Sequence, residues 1–231
     1  MNIHGFNKST LLDYPKHLAA TLFVGSCNMR CPFCHNASLV LRPSSQPIIT
    51  EEEILAYLTK RKNILEGVCI TGGEPSLYPE LPIFISKIKN LGFKVKLDTN
   101  GTNPAMIKEL IDKNQIDYVA MDIKNSLDKY KLTAGNKDIS IDKIKESVSL
   151  LLSGVVEYEF RTTIINELHT EDDIKAIGEW IKGAKAYYLQ AYKDSDDVIS
   201  PGFTAPPKDA LLTYKELLSN YVEHVDVRGI D

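Results

Sequence analysis

The stretch ATLFVGSCNMRCPFCHN, residues 20–36, joins a short apolar run to a loop that carries three cysteines. The run ATLFVG is apolar on both faces and contains β-branched residues, which predicts a buried strand of a parallel sheet. Cys27, Cys31 and Cys34 follow that strand with the spacing C-x3-C-x2-C. Cysteine thiolates are the usual ligands of iron–sulfur clusters. Three of them on one loop can hold three irons of a cubane and leave the fourth iron open for substrate chemistry.

Three other interpretations of the cysteine loop stay open. His35 could complete a Cys3His zinc site, although zinc sites usually take their ligands from two separated pairs. Cys31 to His35 also match the C-x-x-C-H haem attachment pattern of exported proteins, but residues 1–18 lack the apolar core of a signal peptide. The thiols could also be plain core residues, but three of them beside Arg30 make an unusual core. Cys69 lies alone in an apolar run and is predicted to be a small core side chain.

Five further apolar runs alternate with helical segments after the first one. They are VCITG (68–72), KVKLDT (94–99), YVAMDI (118–123), EYEFRTTII (157–165) and AYYLQAY (186–192). Six strand–helix units in succession predict an α/β fold with a parallel sheet. A complete eight-unit barrel takes about 250 residues, so this chain, with its long cysteine loop, fits six units better. No repeat or linker interrupts the pattern, which predicts a single domain over residues 1–231 with the cluster loop at 25–36.

Residues that favour the first turn of a helix stand ahead of the apolar helical segments. They are the capping boxes Thr50/Glu53 and Thr170/Asp173 and the prolines Pro79, Pro104 and Pro207. We therefore expect helices to begin at these points.

The composition is that of an ordinary globular protein. The 231 residues carry 27 basic and 31 acidic side chains, a formal charge of −4, and 43% hydrophobic residues. A slightly acidic balance without a long basic run argues against nucleic-acid binding as the main task. No run approaches the roughly 20 apolar residues of a membrane helix. The lack of a signal peptide predicts a cytoplasmic protein, in which thiols stay reduced.

The cysteine loop resembles the signature of the radical S-adenosylmethionine (SAM) enzymes, which also place C-x3-C-x2-C after the first strand. Further segments are similar to those of glycyl-radical-enzyme activating proteins, and most of all to the activating proteins of anaerobic ribonucleoside-triphosphate reductase. These segments are GFNKSTLLDYP (5–15), ITGGEP (70–75), LDTNG (97–101), MDIK (121–124) and VDVRG (225–229). The resemblance implies a partial (βα)6 barrel, the same number of units that the strand pattern predicts.

The resemblance assigns the cysteine loop to a [4Fe-4S] cluster with Cys27, Cys31 and Cys34 as ligands. It implies that S-adenosylmethionine binds the fourth iron through its amino and carboxylate groups. An electron from the cluster then splits the sulfonium and forms a 5′-deoxyadenosyl radical. Phe33, between two of the ligands, resembles the aromatic residue that packs near the adenine in this family.

The resemblance also assigns the amino-acid end of S-adenosylmethionine. Gly72, Gly73 and Glu74 are similar to the motif that holds the methionine amino group, and glycines let a backbone approach a ligand closely. Lys124 is similar to the lysine that meets the methionine carboxylate. Arg161 lies in an apolar strand and needs a partner, which could be the cofactor carboxylate, the ribose or a structural carboxylate.

A monovalent cation beside the cofactor is implied as well. Asp98, Thr99 and Asp122 are similar to the residues that surround such a cation in related activating enzymes, and a plain ion pair with Lys124 is the alternative. One segment departs from the family pattern. Activators of pyruvate formate-lyase have a histidine after the sixth strand, where this chain offers Gln190 and Tyr192. This difference weakens the assignment to pyruvate formate-lyase and leaves the contact to the ribose without a residue.

The resemblance implies an enzyme that removes a Cα hydrogen atom from a glycine of a partner glycyl-radical enzyme. Anaerobic ribonucleoside-triphosphate reductase is the predicted partner, and a flavodoxin- or ferredoxin-type protein is the predicted electron donor. Activation of pyruvate formate-lyase, radical chemistry on a small molecule, and a non-catalytic zinc module are the alternatives. Four cysteines are too few for the eight-cysteine insert of many other activating proteins. The open side of a six-unit barrel would admit a loop of the partner.

Overall fold

Strands and helices alternate along the chain, and all the strands join one open sheet. The computed structural model describes residues 1–230. The strands are β1 (Ile3–Thr10), β2 (Ala19–Val24), β3 (Gly67–Gly72), β4 (Lys94–Thr99), β5 (Tyr118–Asp122), β6 (Glu157–Ile164), β7 (Ala186–Ala191) and β8 (His224–Arg228). Their order in the sheet is their order in the chain, so β1 and β8 are its two edges. β1 is antiparallel to β2, and all other neighbours are parallel.

The predicted α/β fold with an open parallel sheet is confirmed. β2 to β7 agree with the six predicted strands to within one residue at either end, and a helix follows each of them. The sheet nevertheless has two strands more than predicted. β1 becomes progressively exposed along its length, and β8 is short and carries charged residues at alternate positions. Neither strand has the continuous apolar character by which the buried strands are recognised.

The helices lie between the strands. They are α1 (Ala37–Leu41), α2 (Glu51–Lys60), α3 (Leu81–Asn90), α4 (Pro104–Asp112), α5 (Tyr130–Thr133), α6 (Ile141–Leu152), α7 (Glu171–Trp180) and α8 (Lys208–Leu218). The capping boxes at Thr50 and Thr170 both form. The predicted start at Pro79 is wrong, because α3 begins at Leu81 and has Pro82 in its first turn instead. Within residues 1–230, no helix is long and apolar enough to cross a membrane.

The sheet has an apolar face and a polar face, because successive side chains of a strand point to opposite sides. β4 shows this alternation clearly. Val95 and Leu97 belong to the buried apolar core, whereas Lys96 and Asp98 carry charges on the other face. Since the carboxyl ends of parallel strands meet at one edge of a sheet, the polar residues of these ends lie close together there.

Candidate functional site

A cavity of about 250 Å³ opens at the carboxyl ends of the parallel strands. Eleven of the twelve predicted site residues line it, and Glu74 is the exception. The eleven are Cys27, Cys31, Phe33, Cys34, Gly72, Gly73, Asp98, Thr99, Asp122, Lys124 and Arg161. Thr163 and Gln190 also line the cavity, so the residue that stands in place of the family's histidine does face the site.

Neighbouring loops hold the cysteine loop in place through its backbone. The amide of Arg30 donates to the carbonyl of Ala134 at 2.9 Å, and the amide of Ser200 donates to the carbonyl of Pro32 at 2.7 Å. These contacts join the loop to the segments that follow β5 and β7. Cys31 is consequently buried, whereas the other two cysteines stay half-buried.

The three thiols of the loop suit a cluster better than a single metal ion. Burial, aided by the charge of Glu74, raises the pKa of Cys27 to about 12, and burial raises that of Cys31 to about 11. Both are therefore protonated until a metal displaces the proton. In the part of the chain that the structure describes, no group of three His, Cys, Asp or Glu side chains is arranged to hold one metal ion. A cubane instead binds each thiolate to an iron of its own.

The sulfur of Cys27 accepts two hydrogen bonds from the protein. The amide of Met29 and the side-chain amide of Asn100 donate to the sulfur of Cys27, at 3.3 and 3.7 Å. Hydrogen bonds of this kind tune the potential of a cluster.

His35 bonds the carbonyl of Lys193 and stacks on Tyr192, with 5.3 Å between the ring centroids. These contacts fix the orientation of the imidazole ring through its Nε2.

Gly72 and Gly73 also have a packing role in the structure. A Cβ on Gly72 would lie 2.5 Å from the carbonyl oxygen of Val24, and one on Gly73 would overlap the carbonyl of Ser26. The amide of Gly73 also donates to the Val24 carbonyl at 2.8 Å. The glycines therefore let the end of β3 pack directly against the chain that enters the cysteine loop. Their close approach is to the protein's own backbone.

Glu74 is wholly buried and does not reach the cavity. Its carboxylate accepts hydrogen bonds from the amide of Ser76 at 3.1 Å, the hydroxyl of Thr99 at 2.7 Å and the amide of Asn100 at 2.6 Å. The hydroxyl of Ser76 donates as well. These four bonds engage both oxygens of the carboxylate that was predicted to receive an ammonium group. Glu74 instead joins the ends of β3 and β4 beneath the cavity.

Five side chains form a row of alternating charges; four of them line the cavity, and the fifth, Lys96, is buried behind Asp98. Lys96 binds one oxygen of Asp98, whose other oxygen accepts from Arg161 at 3.0 Å. Arg161 also binds Asp122 at 3.0 Å, and Asp122 binds Lys124 at 3.0 Å. We call these five residues the charge ladder. The structural alternative for Arg161 is therefore realised, because it bridges two carboxylates.

The ladder fixes the charge state of its members. Burial alone would raise the pKa of Asp122, but Arg161 and Lys124 outweigh it and lower that pKa to about 2. For Lys124, burial acts to lower the pKa, but Asp122 outweighs it and the pKa is raised. The cavity wall consequently stays charged across the physiological pH range.

His169 is a buried residue that supports the backbone of Lys124. It is 2% exposed, and its Nε2 lies 2.9 Å from the carbonyl oxygen of Lys124. The amide of Ile165 donates to its Nδ1 at 3.1 Å, so Nε2 carries the proton and donates. No sequence motif marks this residue, because both of its contacts are to backbone groups, the amide of Ile165 and the carbonyl of Lys124.

A second ion pair lies on the polar face next to the ladder. Arg228, from the segment VDVRG, binds both oxygens of Glu159 at 2.9 Å. Its guanidinium lies 3.5 Å from the ring centroid of Tyr188, and Tyr118 donates to Glu159 at 3.0 Å. Arg228 thereby fastens the edge strand β8 across β7 to β6. Neither Arg228 nor Glu159 was singled out by itself as a site residue.

Comparison with known proteins agrees with this geometry. Residues 21–181 match the family model described as the radical SAM superfamily. A candidate glycyl-radical enzyme activating enzyme of Methanocaldococcus jannaschii is 34% identical over 236 residues, which cover 99% of this chain and 96% of the relative. The pyruvate formate-lyase-activating enzyme of Clostridium pasteurianum is 28% identical over 189 residues, which cover 79% of this chain and 77% of the relative.

The fold is also found among solved structures. The crystal structure of SuiB from Streptococcus suis bound to S-adenosylmethionine superposes with a TM-score of 0.69 and 13% identity. The similarity covers 90% of this chain and 52% of SuiB. At this level of identity the likeness concerns the fold alone.

Proposed function

The chain belongs to the radical SAM superfamily, and from this membership we propose that Cys27, Cys31 and Cys34 hold a [4Fe-4S] cluster at which S-adenosylmethionine is bound. It is a radical SAM enzyme of the glycyl-radical-enzyme activating group. When bound, the cluster and S-adenosylmethionine supply the electron and the 5′-deoxyadenosyl radical that removes a hydrogen atom from a glycine Cα. The protein contributes binding, orientation and shelter from water.

The observation that carries this proposal is the meeting of the three thiols and the charge ladder in one cavity. Lys124 and Arg161 offer positive charge to the carboxylate of S-adenosylmethionine. Asp122 binds both side chains, and all three residues line the cavity. Phe33 is buried at the same cavity, and we assign it to the adenine. Backbone groups at Gly72 and Gly73 are assigned to the methionine amino group, without a role for the carboxylate of Glu74.

The partner we propose is a glycyl-radical enzyme, most specifically anaerobic ribonucleoside-triphosphate reductase. The open sheet supports a protein substrate, because β1 and β8 do not pair with each other and leave the polar face accessible to an extended loop. Motif similarity along nearly the whole chain supports the reductase as the partner.

The test is an anaerobic activation assay. The reconstituted protein is reduced in the presence of S-adenosylmethionine and a purified reductase with a C-terminal glycyl-radical motif. We expect 5′-deoxyadenosine and a doublet radical signal in the electron paramagnetic resonance spectrum of the reductase. A reductase whose radical glycine is replaced by alanine is the matched control and should give no doublet.

Pyruvate formate-lyase is the second candidate partner, and the Clostridium pasteurianum relative is the observation that favours it. The position of Gln190 at the cavity weighs against it. The same assay with pyruvate formate-lyase in place of the reductase separates the two candidates. Deoxyadenosine without a protein radical in either mixture would point to a small-molecule substrate.

We further propose a flavodoxin- or ferredoxin-type electron donor and a cytoplasmic location. Three of the four cysteines lie in the loop, and Cys69 is buried in β3, so these residues leave no ligand set for a relay cluster. An external donor must then reduce the loop cluster directly, at the half-buried Cys27 and Cys34. The test is to mix the reconstituted protein with purified donors and to monitor reduction of the cluster by its loss of visible absorbance.

A further inference from the structure

A lysine lies buried behind the ladder residue Asp98 and belongs to no recognised motif. Lys96 is 2% exposed, and its Nζ binds Oδ1 of Asp98 and lies 3.7 Å from the sulfur of Cys69. A buried charge without a partner is strongly destabilising, so Lys96 and Asp98 depend on each other. Burial acts to lower the pKa of Lys96, but Asp98 and Cys69 more than offset this and raise it, so the ammonium stays charged.

The carboxylates predicted to bind a monovalent cation already have cationic partners. Asp98 binds Lys96 through Oδ1 and Arg161 through Oδ2. Asp122 binds Arg161 through Oδ1 and Lys124 through Oδ2. Each of the four oxygens thus accepts from an ammonium or a guanidinium. A further cation would have to compete with these groups at every oxygen.

The third predicted ligand is engaged as well. The hydroxyl of Thr99 donates to Glu74 at 2.7 Å and accepts from the amide of Gly101 at 3.1 Å. This set of oxygens does not fit the cation that the resemblance implies.

We propose that the ammonium of Lys96 takes the place of a monovalent cation, so that S-adenosylmethionine binds equally well without sodium or potassium. The ladder contains three cationic and two anionic groups, and Lys96 supplies the one surplus positive charge. One surplus positive charge is also what a bound monovalent cation would supply beside the carboxylate group of S-adenosylmethionine. This inference rests on the proposed function, because it concerns the binding of that molecule.

A purely structural role for Lys96 predicts a different behaviour. If Lys96 only stabilised the fold, the salt present would not matter to any variant. If it replaces a cation, a variant with space at this position should recover when a small cation is supplied. Dependence on the cation therefore separates the two roles.

The experiment measures the dissociation constant of S-adenosylmethionine by equilibrium dialysis with the anaerobically reconstituted protein. Tetramethylammonium chloride and potassium chloride are compared at equal ionic strength. The variants are Lys96→Ala, which leaves space, and Lys96→Met, which removes the charge but keeps most of the volume. Lys94→Ala is the matched control, because Lys94 is an exposed lysine on the same strand.

We expect the wild-type protein and Lys94→Ala to bind equally well in both salts. Lys96→Ala should bind about tenfold more weakly in tetramethylammonium, equivalent to about 1.4 kcal/mol, and recover in potassium or ammonium chloride. Lys96→Met should bind weakly in every salt. Circular dichroism and iron content verify that each variant is folded and loaded.

Two results would overturn the inference. One is wild-type affinity that falls severalfold when potassium and sodium are withdrawn. The other is a folded, loaded Lys96→Ala that binds as the wild type does in tetramethylammonium, or that does not respond to potassium. The affinity of the wild-type protein in the two salts tests the inference even if a variant does not fold. A wild-type protein that binds no S-adenosylmethionine in any salt would contradict the proposed function instead.

Discussion

The hydroxyl of Thr99 donates a hydrogen bond of 2.7 Å to the carboxylate of Glu74, and this bond joins the carboxyl ends of β3 and β4. Both residues were predicted to contact a ligand, and in the structure they also contact each other. Burial raises the pKa of Glu74, although Ser76, Asn100 and Thr99 act to lower it. The buried carboxylate therefore joins the strand ends beneath the cavity through its hydrogen bonds.

We predict that Glu74→Gln destabilises the protein by about 2 kcal/mol, the cost of leaving a buried donor unsatisfied. The amide nitrogen of glutamine cannot accept from the donors that now meet the carboxylate. Urea unfolding of the metal-free protein measures the change. Glu80→Gln is the control, since Glu80 is exposed and makes no side-chain capping bond, and it should change the free energy of unfolding by less than about 0.5 kcal/mol. Equal effects of the two variants would contradict the role of Glu74.

The cysteines should divide into three ligands and one structural residue. We expect Cys31→Ala to lose the brown colour and nearly all bound iron after anaerobic reconstitution, because a cubane needs each of its thiolates. Cys69→Ala should retain the iron content of the wild type, since Cys69 is buried on β3 and its sulfur lies within hydrogen-bond distance of Lys96 and Asp98. Iron and sulfide assays measure both. Full iron content in Cys31→Ala would disprove the ligand assignment.

Asp173 should make the stability of the protein depend on pH in the acid range. Burial acts to raise its pKa, but hydrogen bonds from Lys129, Thr170 and Ser126 lower it to about 2. An unfolded aspartate titrates near 3.9. A depressed pKa stabilises the folded state fully above that value, and the stabilisation is lost as the pH falls from about 4 to about 2.

We therefore expect Asp173→Ala to be less stable by about 2 kcal/mol at pH 7, from the lost cap and the lost ion pair. The difference from the wild type should shrink toward pH 2. Urea unfolding at several pH values measures it, and other titrating groups cancel in the difference. Asp172→Ala is the control, because Asp172 is exposed in the same helical turn. A difference that stays constant from pH 7 to pH 2 would rule out the titration.

The pair Glu159–Arg228 should show strong coupling. Arg228→Met leaves the buried Glu159 without its cation, and we expect a loss of about 3 kcal/mol. The double variant Glu159→Gln, Arg228→Met should regain most of this loss, because no buried charge remains. Lys215→Met is the control for loss of an exposed pair next to β8 and should cost less than about 1 kcal/mol. Additive single effects in the urea-unfolding cycle would show that the two residues act independently.

The sequence predicts the buried strands and the motif residues well, because both are encoded locally. β4 shows the limit of this information. Its run KVKLDT predicts the strand to the residue, and the alternation of side chains along it puts Lys96 on the same face as Asp98 of the motif LDTNG. Nothing local shows that both residues meet Cys69 of β3. Such pairs depend on the register between strands and on distances that are long in sequence.

The packing role of Gly72 and Gly73 and the two edge strands were not predicted, for related reasons. Gly73 faces the backbone at Ser26, a contact across 47 positions of sequence that composition does not reveal. β1 and β8 each have one neighbour in the sheet and stay partly exposed, so their residues need not be continuously apolar. No motif marks His169, and only the folded loop shows that it binds the carbonyl of Lys124.

The charge ladder also has a consequence for folding. Lys96 and Asp98 on β4 pair with Ala120 and its neighbours on β5 in a fixed register, with Asp98 opposite Ala120 and Thr99 opposite Met121. A slip of β4 by one residue would turn both charges toward the helices and bring Val95 and Leu97 onto the polar face. That misaligned sheet would bury unpaired ions and expose aliphatic groups. The residues that shape the cavity therefore also disfavour wrong strand alignments while the chain folds.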